Sequence, residues 1–220
     1  MMNGLGAGIG MTSDRTRSRM VERLRAAGIR DERVLSAIEG VPRHLFVDEA
    51  IANRAYEDSA LPIGWGQFIS APYIVARMME LLCAGTHLRK VLEVGTGCGY
   101  QAVVLSRIVQ EVYSVERLGQ LLTKTRSRLW NLKITNLRLK HGDGRLGLPE
   151  AAPFDGIIVA AAAPVIPQAL LDQLSPEGRL VIPVGQDNHQ QLTVVERRDG
   201  EWTTSTVEAV RFVPLLEETS

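Results

Sequence analysis

Apolar residues recur at helical spacing at Met20, Val21, Leu24 and Ala27, with Gly28 behind them as a stop, and predict a first helix over about residues 14–27. A second, shorter helix is predicted over residues 31–39, ended by Gly40 and Pro42. The stretch 56–73, YEDSALPIGWGQFISAPY, breaks this rhythm. Pro62, Gly64, Gly66 and Pro72 oppose regular structure there, while Trp65, Phe68, Ile69 and Tyr73 are too apolar for an idle connection, so an irregular binding loop is expected. A helix is predicted to follow, because Ile74, Val75, Met78, Met79, Leu81 and Leu82 make a broad apolar face.

From Lys90 the pattern changes to short β-type runs alternating with helical stretches. Strands are predicted at 91–94, 112–115, 137–140, 156–160, 179–184, 191–197 and 207–213, with helices at 99–109, 117–131 and 164–174 between the earlier ones. Strand, helix, strand in repetition requires crossovers between parallel neighbours, hence a doubly wound α/β sheet with helices on both faces. The last two strands are nearly contiguous and predict an antiparallel hairpin at the edge, its position in the strand order left open. The plan is a single domain over 13–220: a helical N-terminal extension (13–84, with the loop 56–73) and a ligand-binding sheet (90–220). The glycine-broken leader, residues 1–12, is expected to be disordered.

Composition narrows the function classes. Lys plus Arg equals Asp plus Glu, 25 each, which removes the field that would gather nucleic acid or an anionic membrane surface. The stripe Arg15, Arg17, Arg19, Arg23 and Arg25 reads as a solvated helix face. Cys83 and Cys98 are too few for a disulfide framework, and His44, His87, His141 and His189 form no ligand-spaced cluster with them, so no metal is expected. No apolar run reaches the roughly 18 residues of a bilayer span. A soluble, cytoplasmic, monomeric protein is expected.

The candidate chemistry sits at strand ends. VLEV runs into Gly95-Thr96-Gly97-Cys98-Gly99 and then a helix, and glycines at such a turn let the backbone approach a nucleotide-like ligand. The third glycine falls one position early for the dinucleotide spacing G-x-G-x-x-G, which favours a nucleoside without a pyrophosphate. The strand-glycine-acid pattern alone still admits a nicotinamide oxidoreductase. Glu116 ends the second strand, where a carboxylate can accept both hydroxyls of an unphosphorylated ribose, with Arg117 beside it. Gly142-Asp143-Gly144 follows the third strand and could accept an exocyclic amine such as that of adenine. Glu93, inside the first strand, needs a partner if buried, as support for the loop or against a cationic ligand group.

Together these positions describe a site for S-adenosyl-L-methionine. VLEVGTGCGYQ, SVER, HGDG, FDGIIVAAAAP, LSPEGRLVIPVG and VRFVPL, with PRHLFV and ALPIGWGQFISAPYIVARM near the front, resemble the protein-L-isoaspartate O-methyltransferase family over about residues 14–216. The resemblance implies a Rossmann-like class I methyltransferase fold. It also implies methyl transfer from S-adenosyl-L-methionine, leaving S-adenosyl-L-homocysteine, to the α-carboxylate of L-isoaspartyl residues in damaged proteins and peptides. The methyl ester then closes to a succinimide that reopens partly to aspartate. By the same resemblance Ser70 is the active-site serine, Ile69 belongs with the cofactor set, and Gly64, Trp65, Gln67, Phe68 and Ala71 lie on the substrate side. Phe68 stands where the family usually has threonine, Trp65 where it has a polar residue, Arg145 where it has tryptophan, and Ala160 where it has threonine. These departures keep two alternatives open: a methyltransferase for another carboxylate or small molecule, and a nucleoside-binding module without catalysis.

Overall fold

The computed structural model describes residues 8–85, 87–198, 201–217 and 219. Residues 1–7 of the expected leader lie outside these, and the described part is not featureless: Gly10–Thr12 form a 3-10 turn. Ser13 then caps α1 (Asp14–Ala26) by accepting from Thr16 N, and Asp31 caps α2 (Glu32–Glu39) through Arg33 N and Val34 N. Two further 3-10 segments, Arg43–Phe46 and Glu49–Arg54, lead into the predicted loop. Three arginines of the α1 stripe are engaged: Arg17 pairs with Asp14, Arg25 with Glu22 and Glu32, and Arg23 donates to Tyr56 O.

The loop 56–73 is not irregular throughout. It holds a hairpin of β1 (Leu61–Gly64) and β2 (Gln67–Ile69), paired antiparallel. Trp65 and Gly66 both take positive φ, +52° and +68°, as a two-residue hairpin turn of the primed type requires. Pro62 is tolerated because a two-stranded ribbon has free outer edges. Pro72 then opens α3 (Pro72–Cys83), a position where its missing N–H costs nothing.

β3 (Lys90–Val94), α4 (Tyr100–Leu105), β4 (Glu111–Glu116), α5 (Gly119–Asn131), β5 (Leu137–His141), β6 (Phe154–Val159), α6 (Gln168–Leu171), β7 (Leu174–Gln186), β8 (His189–Arg198) and β9 (Glu201–Val210) complete the chain. Two helices are shorter than predicted, since Ser106 ends α4 and Pro164 and Pro167 confine α6 to one turn. The final strand ends at Val210 and begins at Glu201, earlier than the 207–213 expected. The seven-stranded sheet runs β5-β4-β3-β6-β7-β8-β9, parallel through β7 and antiparallel at β8 and β9, so the open strand order resolves as a simple meander.

Alternation along the parallel strands feeds two cores. Val91, Val112, Ile158 and Val181 face the side covered by α1, α2, α3 and α4. Leu92, Val94, Val115, Ile157 and Leu180 face the side covered by α6 and its flanking segments. Both faces are dry, which is why these strands read as continuous apolar runs. A guanidinium enters the core: Arg43 is fully buried, with Nε donating to Ala55 O (2.8 Å) and its guanidinium 5.0 Å from the Tyr100 ring centroid. No helix among the described residues is long and apolar enough to cross a membrane. β3 has β4 on one side and β6 on the other, so the crevice at the carboxyl ends of β3, β4 and β6 is the topological switch point where such sheets bind ligands.

Candidate active site

β3 delivers the chain into the switch-point crevice through Gly95, Gly97 and Gly99, whose φ values of +93°, +54° and +85° suit glycine and strain other residues. A Cβ at Gly99 would stand 2.8 Å from Thr125 Cγ2, so this glycine also sets how closely α5 packs on the loop. Gly95 N and Thr96 N donate to Val115 O (2.9 and 3.2 Å), and Gly97 N donates to Glu116 Oε2 (2.9 Å). From the far side Thr125 Oγ1 donates to Gly97 O (2.7 Å) and Arg128 Nη1 to Cys98 O (2.9 Å). The loop is therefore held by hydrogen bonds with both β4 and α5.

Glu116 is nearly buried at the end of β4. Its Oε1 accepts from Leu118 N (3.0 Å) and its Oε2 from Gly97 N. A carboxylate offers about four acceptor positions, so each oxygen keeps capacity for one more donor on the side of the cleft it lines. That spare capacity, beside a glycine-walled loop, fits a ribose with two free hydroxyls.

A cleft opens beyond these strand ends. It brings together Gln67, Phe68, Ile69 and Ser70 from the hairpin, Gly95, Thr96 and Gly97 from the loop, and Glu116, Arg117 and Gly144 from the next two strand ends. Ser70 is half-buried, and its hydroxyl has no hydrogen-bond partner among the described residues. Gly144 packs hard: a Cβ there would fall 2.3 Å from Val94 Cγ1.

Other predicted positions lie outside the cleft lining. Glu93 is wholly buried beneath the loop, where Ser114 Oγ donates to its Oε2 (2.5 Å) and shares a second bond with Thr96 Oγ1 (2.7 Å). Its other oxygen has no hydrogen-bond partner among the described residues, and burial pushes its carboxyl up to about 8. Glu93 thus braces the loop from behind. Asp143 accepts from Arg145 N, and its two oxygens hold the Arg145 guanidinium (3.3 and 2.9 Å), a pairing that keeps its carboxyl below the usual range. Arg145 also pairs with Glu217. Gly142 N donates to Glu116 O, a backbone role. Gly99 packs against α5. Ala71 caps α3. Gly64 and Trp65 line a second cavity with Phe46, Ile63, Lys124 and Arg128, and Trp65 Nε1 donates to Gln120 Oε1 (2.8 Å).

Two parts of the cleft escaped the sequence reading. Tyr100 and Gln101, from the first turn of α4, form its floor, and Val213, Pro214, Leu215 and Leu216 form a wall. This strap is stitched to the segment after β6 by Ala162 N to Val213 O and Leu215 N to Ala162 O, both 2.8 Å. The apolar run FVPLL was its visible signal. Cys98 is buried, which pushes its thiol up and leaves it unreactive.

The family model for protein-L-isoaspartate(D-aspartate) O-methyltransferase matches residues 15–220. A protein-L-isoaspartate O-methyltransferase of Dechloromonas aromatica is 59% identical over 213 residues, covering 96% of this chain and 98% of its own. Among solved structures, a protein-L-isoaspartate O-methyltransferase superposes with a TM-score of 0.83 at 26% identity, over 92% of this chain and 67% of its own. A Plasmodium falciparum chain described as a member of the same group, solved with S-adenosyl-L-homocysteine, gives 0.77 at 26% identity over 91% and 98%. A family model matched over nearly the whole chain and a relative 59% identical along almost its full length show that this chain belongs to the protein-L-isoaspartate O-methyltransferase family.

Proposed function

We propose that this chain transfers a methyl group from S-adenosyl-L-methionine to the α-carboxylate of L-isoaspartyl residues in damaged proteins and peptides, initiating repair through a succinimide. The observation that carries the reading is the convergence of Ser70, with an unengaged hydroxyl, and the Gly95–Gly97 loop on one cleft. The donor supplies an electrophilic methyl on a sulfonium. Glu116 receives the ribose hydroxyls, and the loop backbone from Gly95 to Gly97 holds the amino-acid end close to β3. Arg117 and Gly144 would flank the nucleoside, and Asp143, held by Arg145, would accept from the amine of the base. Glu93, Thr96 and Gly99 keep the loop in shape.

The acceptor needs no general base, because an α-carboxylate is ionised at neutral pH. It needs alignment and dryness. Opposite charges cancel as the methyl moves, so apolar walls such as Val94, Ala160, Val213 and Leu215 favour the transition state over the charged ground state, whereas a cationic clamp on the carboxylate would oppose it. Ser70 donates a neutral hydrogen bond instead. Gln67 and Phe68 line the approach, Ala71 sets where α3 begins behind them, and Gly64 and Trp65 fix the hairpin tip. Residues 13–220 act as one domain and as a monomer, since one chain supplies every wall of the cleft. The balanced charge and the two unpaired cysteines favour a cytoplasmic setting.

The deciding experiment is methyl transfer to an isoaspartyl peptide and to the same peptide carrying ordinary aspartate. Labelling of the first and not the second is expected; equal labelling overturns the assignment, and binding of donor without transfer would make the chain a nucleoside-binding module. A second expectation concerns Ser70→Ala. Loss of one hydrogen bond to a charged group, about 1.5–3 kcal/mol, and of the alignment it gives should lower kcat/KM roughly 10- to 100-fold while donor affinity by calorimetry stays within a factor of about two. An unaltered kcat/KM removes Ser70 from the mechanism.

A further inference from the structure

Residues on a strand alternate between faces, with alternate positions about 6.8 Å apart. In β2 this puts Ile69 into the core, at 4% exposure, and turns Phe68 the other way, at 53% exposure. Ser70 follows directly after the strand, and Phe68 and Ser70 both line the donor cleft. Phe68 is also the cross-strand partner of Pro62, which is likewise exposed, so the outer face of the hairpin carries a continuous apolar platform leading to the Ser70 hydroxyl. The platform does not swing freely: Ile63 Cδ1 sits against Gly97, Trp65 Nε1 bonds Gln120, and Lys124 lies 5.9 Å from the Trp65 ring.

An exposed aromatic ring at the mouth of a cleft marks an interaction surface rather than a folding requirement. In an isoaspartyl residue the α-carboxylate is a branch off the chain, and the neighbouring residue's side chain begins only a few bonds away. With the carboxylate at Ser70, that side chain falls within the spacing that separates Ser70 from Phe68. We infer that Phe68, backed by Pro62, forms a subsite for the side chain adjacent to the isoaspartyl residue and gives this enzyme a preference for apolar neighbours. The inference rests on the isoaspartyl reading of the same cleft.

The test uses the full chain, saturating donor and isoaspartyl peptides of one length carrying Leu, Phe, Ser or Glu next to the damaged residue, on the amino side in one set and the carboxyl side in another. In at least one set, kcat/KM for Leu and Phe should exceed that for Ser roughly fivefold and that for Glu by more, a burial effect expressed mainly in KM. In Phe68→Thr the Leu-to-Ser ratio should fall to near one, and in Phe68→Tyr it should persist. Because the readout is a ratio within one protein, a general loss of activity does not mimic it, and thermal unfolding of each variant checks the fold. A flat response to neighbours in the parent enzyme, or an unchanged ratio in Phe68→Thr, overturns the subsite. Failure to methylate any isoaspartyl peptide takes down the isoaspartyl assignment itself and the subsite with it.

Discussion

Glu116→Ala should weaken S-adenosyl-L-homocysteine and S-adenosyl-L-methionine binding roughly 100-fold or more. The carboxylate has two jobs: it offers acceptors to the cleft, and it fixes Gly97 N and Leu118 N, the amides at both ends of the nucleoside's seat. Each hydrogen bond to a charged acceptor is worth about 1.5–3 kcal/mol, so losing two ribose contacts alone accounts for about that factor, before any loosening of the loop. Glu116→Gln is not a gentle control, because an amide NH2 cannot accept from a backbone N–H, and whichever way it turns, one of Gly97 and Leu118 loses its partner. Calorimetry below the unfolding temperature, with the KM for peptide as an internal comparison, checks this. A Kd within threefold of the parent would mean that the ribose is held elsewhere.

The second large effect is on stability. Glu93 is buried with one oxygen unpartnered and a carboxyl pushed up to about 8 from 4.5. An unfolded chain releases this proton near the ordinary value while the folded chain retains it. The raised folded value therefore contributes stability that is complete below about pH 4.5 and is lost as pH rises through about 8. Glu93→Gln has nothing to ionise. Its advantage over the parent should be smallest near pH 4.5 and grow to on the order of 3–5 kcal/mol by pH 8 and above, a gap in Tm on the order of 10 °C. Thermal unfolding of both proteins across that range measures it, and comparing the two cancels the opposite slope from carboxylates such as Asp143 and Asp31, whose arginine partners lower them. Parallel curves would show Glu93 ionised and satisfied in the native state.

Much of this architecture was readable from the chain. The parallel strands were legible because each is buried on both faces and so is written almost wholly in apolar residues, as in VLEV and GIIVA. The glycine loop and Glu116 were legible because a strand running into closely spaced glycines, then an acid at the next strand's end, leaves few structural explanations. The hairpin was not, since its turn puts a tryptophan at positive φ, where sequence rules expect glycine or asparagine, and its strands contain a proline and a glycine. Arg43 was opaque for another reason: nothing local announces that a guanidinium will be buried against a tyrosine far along the chain. Asp143 was found as a strand-end acid, but its capture by Arg145 depends on side-chain reach. The strap of Val213–Leu216 belongs to no helix or strand, so periodicity could not reveal that it closes the cleft.

That strap has a consequence for biogenesis. The donor's compartment is walled on one side by the early hairpin and on the other by residues reached only after β7, β8 and β9 have been laid down in turn. A ribosome-bound or clipped chain ending before Val213 would carry the glycine loop and Glu116 yet lack the enclosure that keeps water from the reacting pair. Competence therefore arrives late and all at once, and a half-made enzyme has little opportunity to squander methyl groups on bystanders.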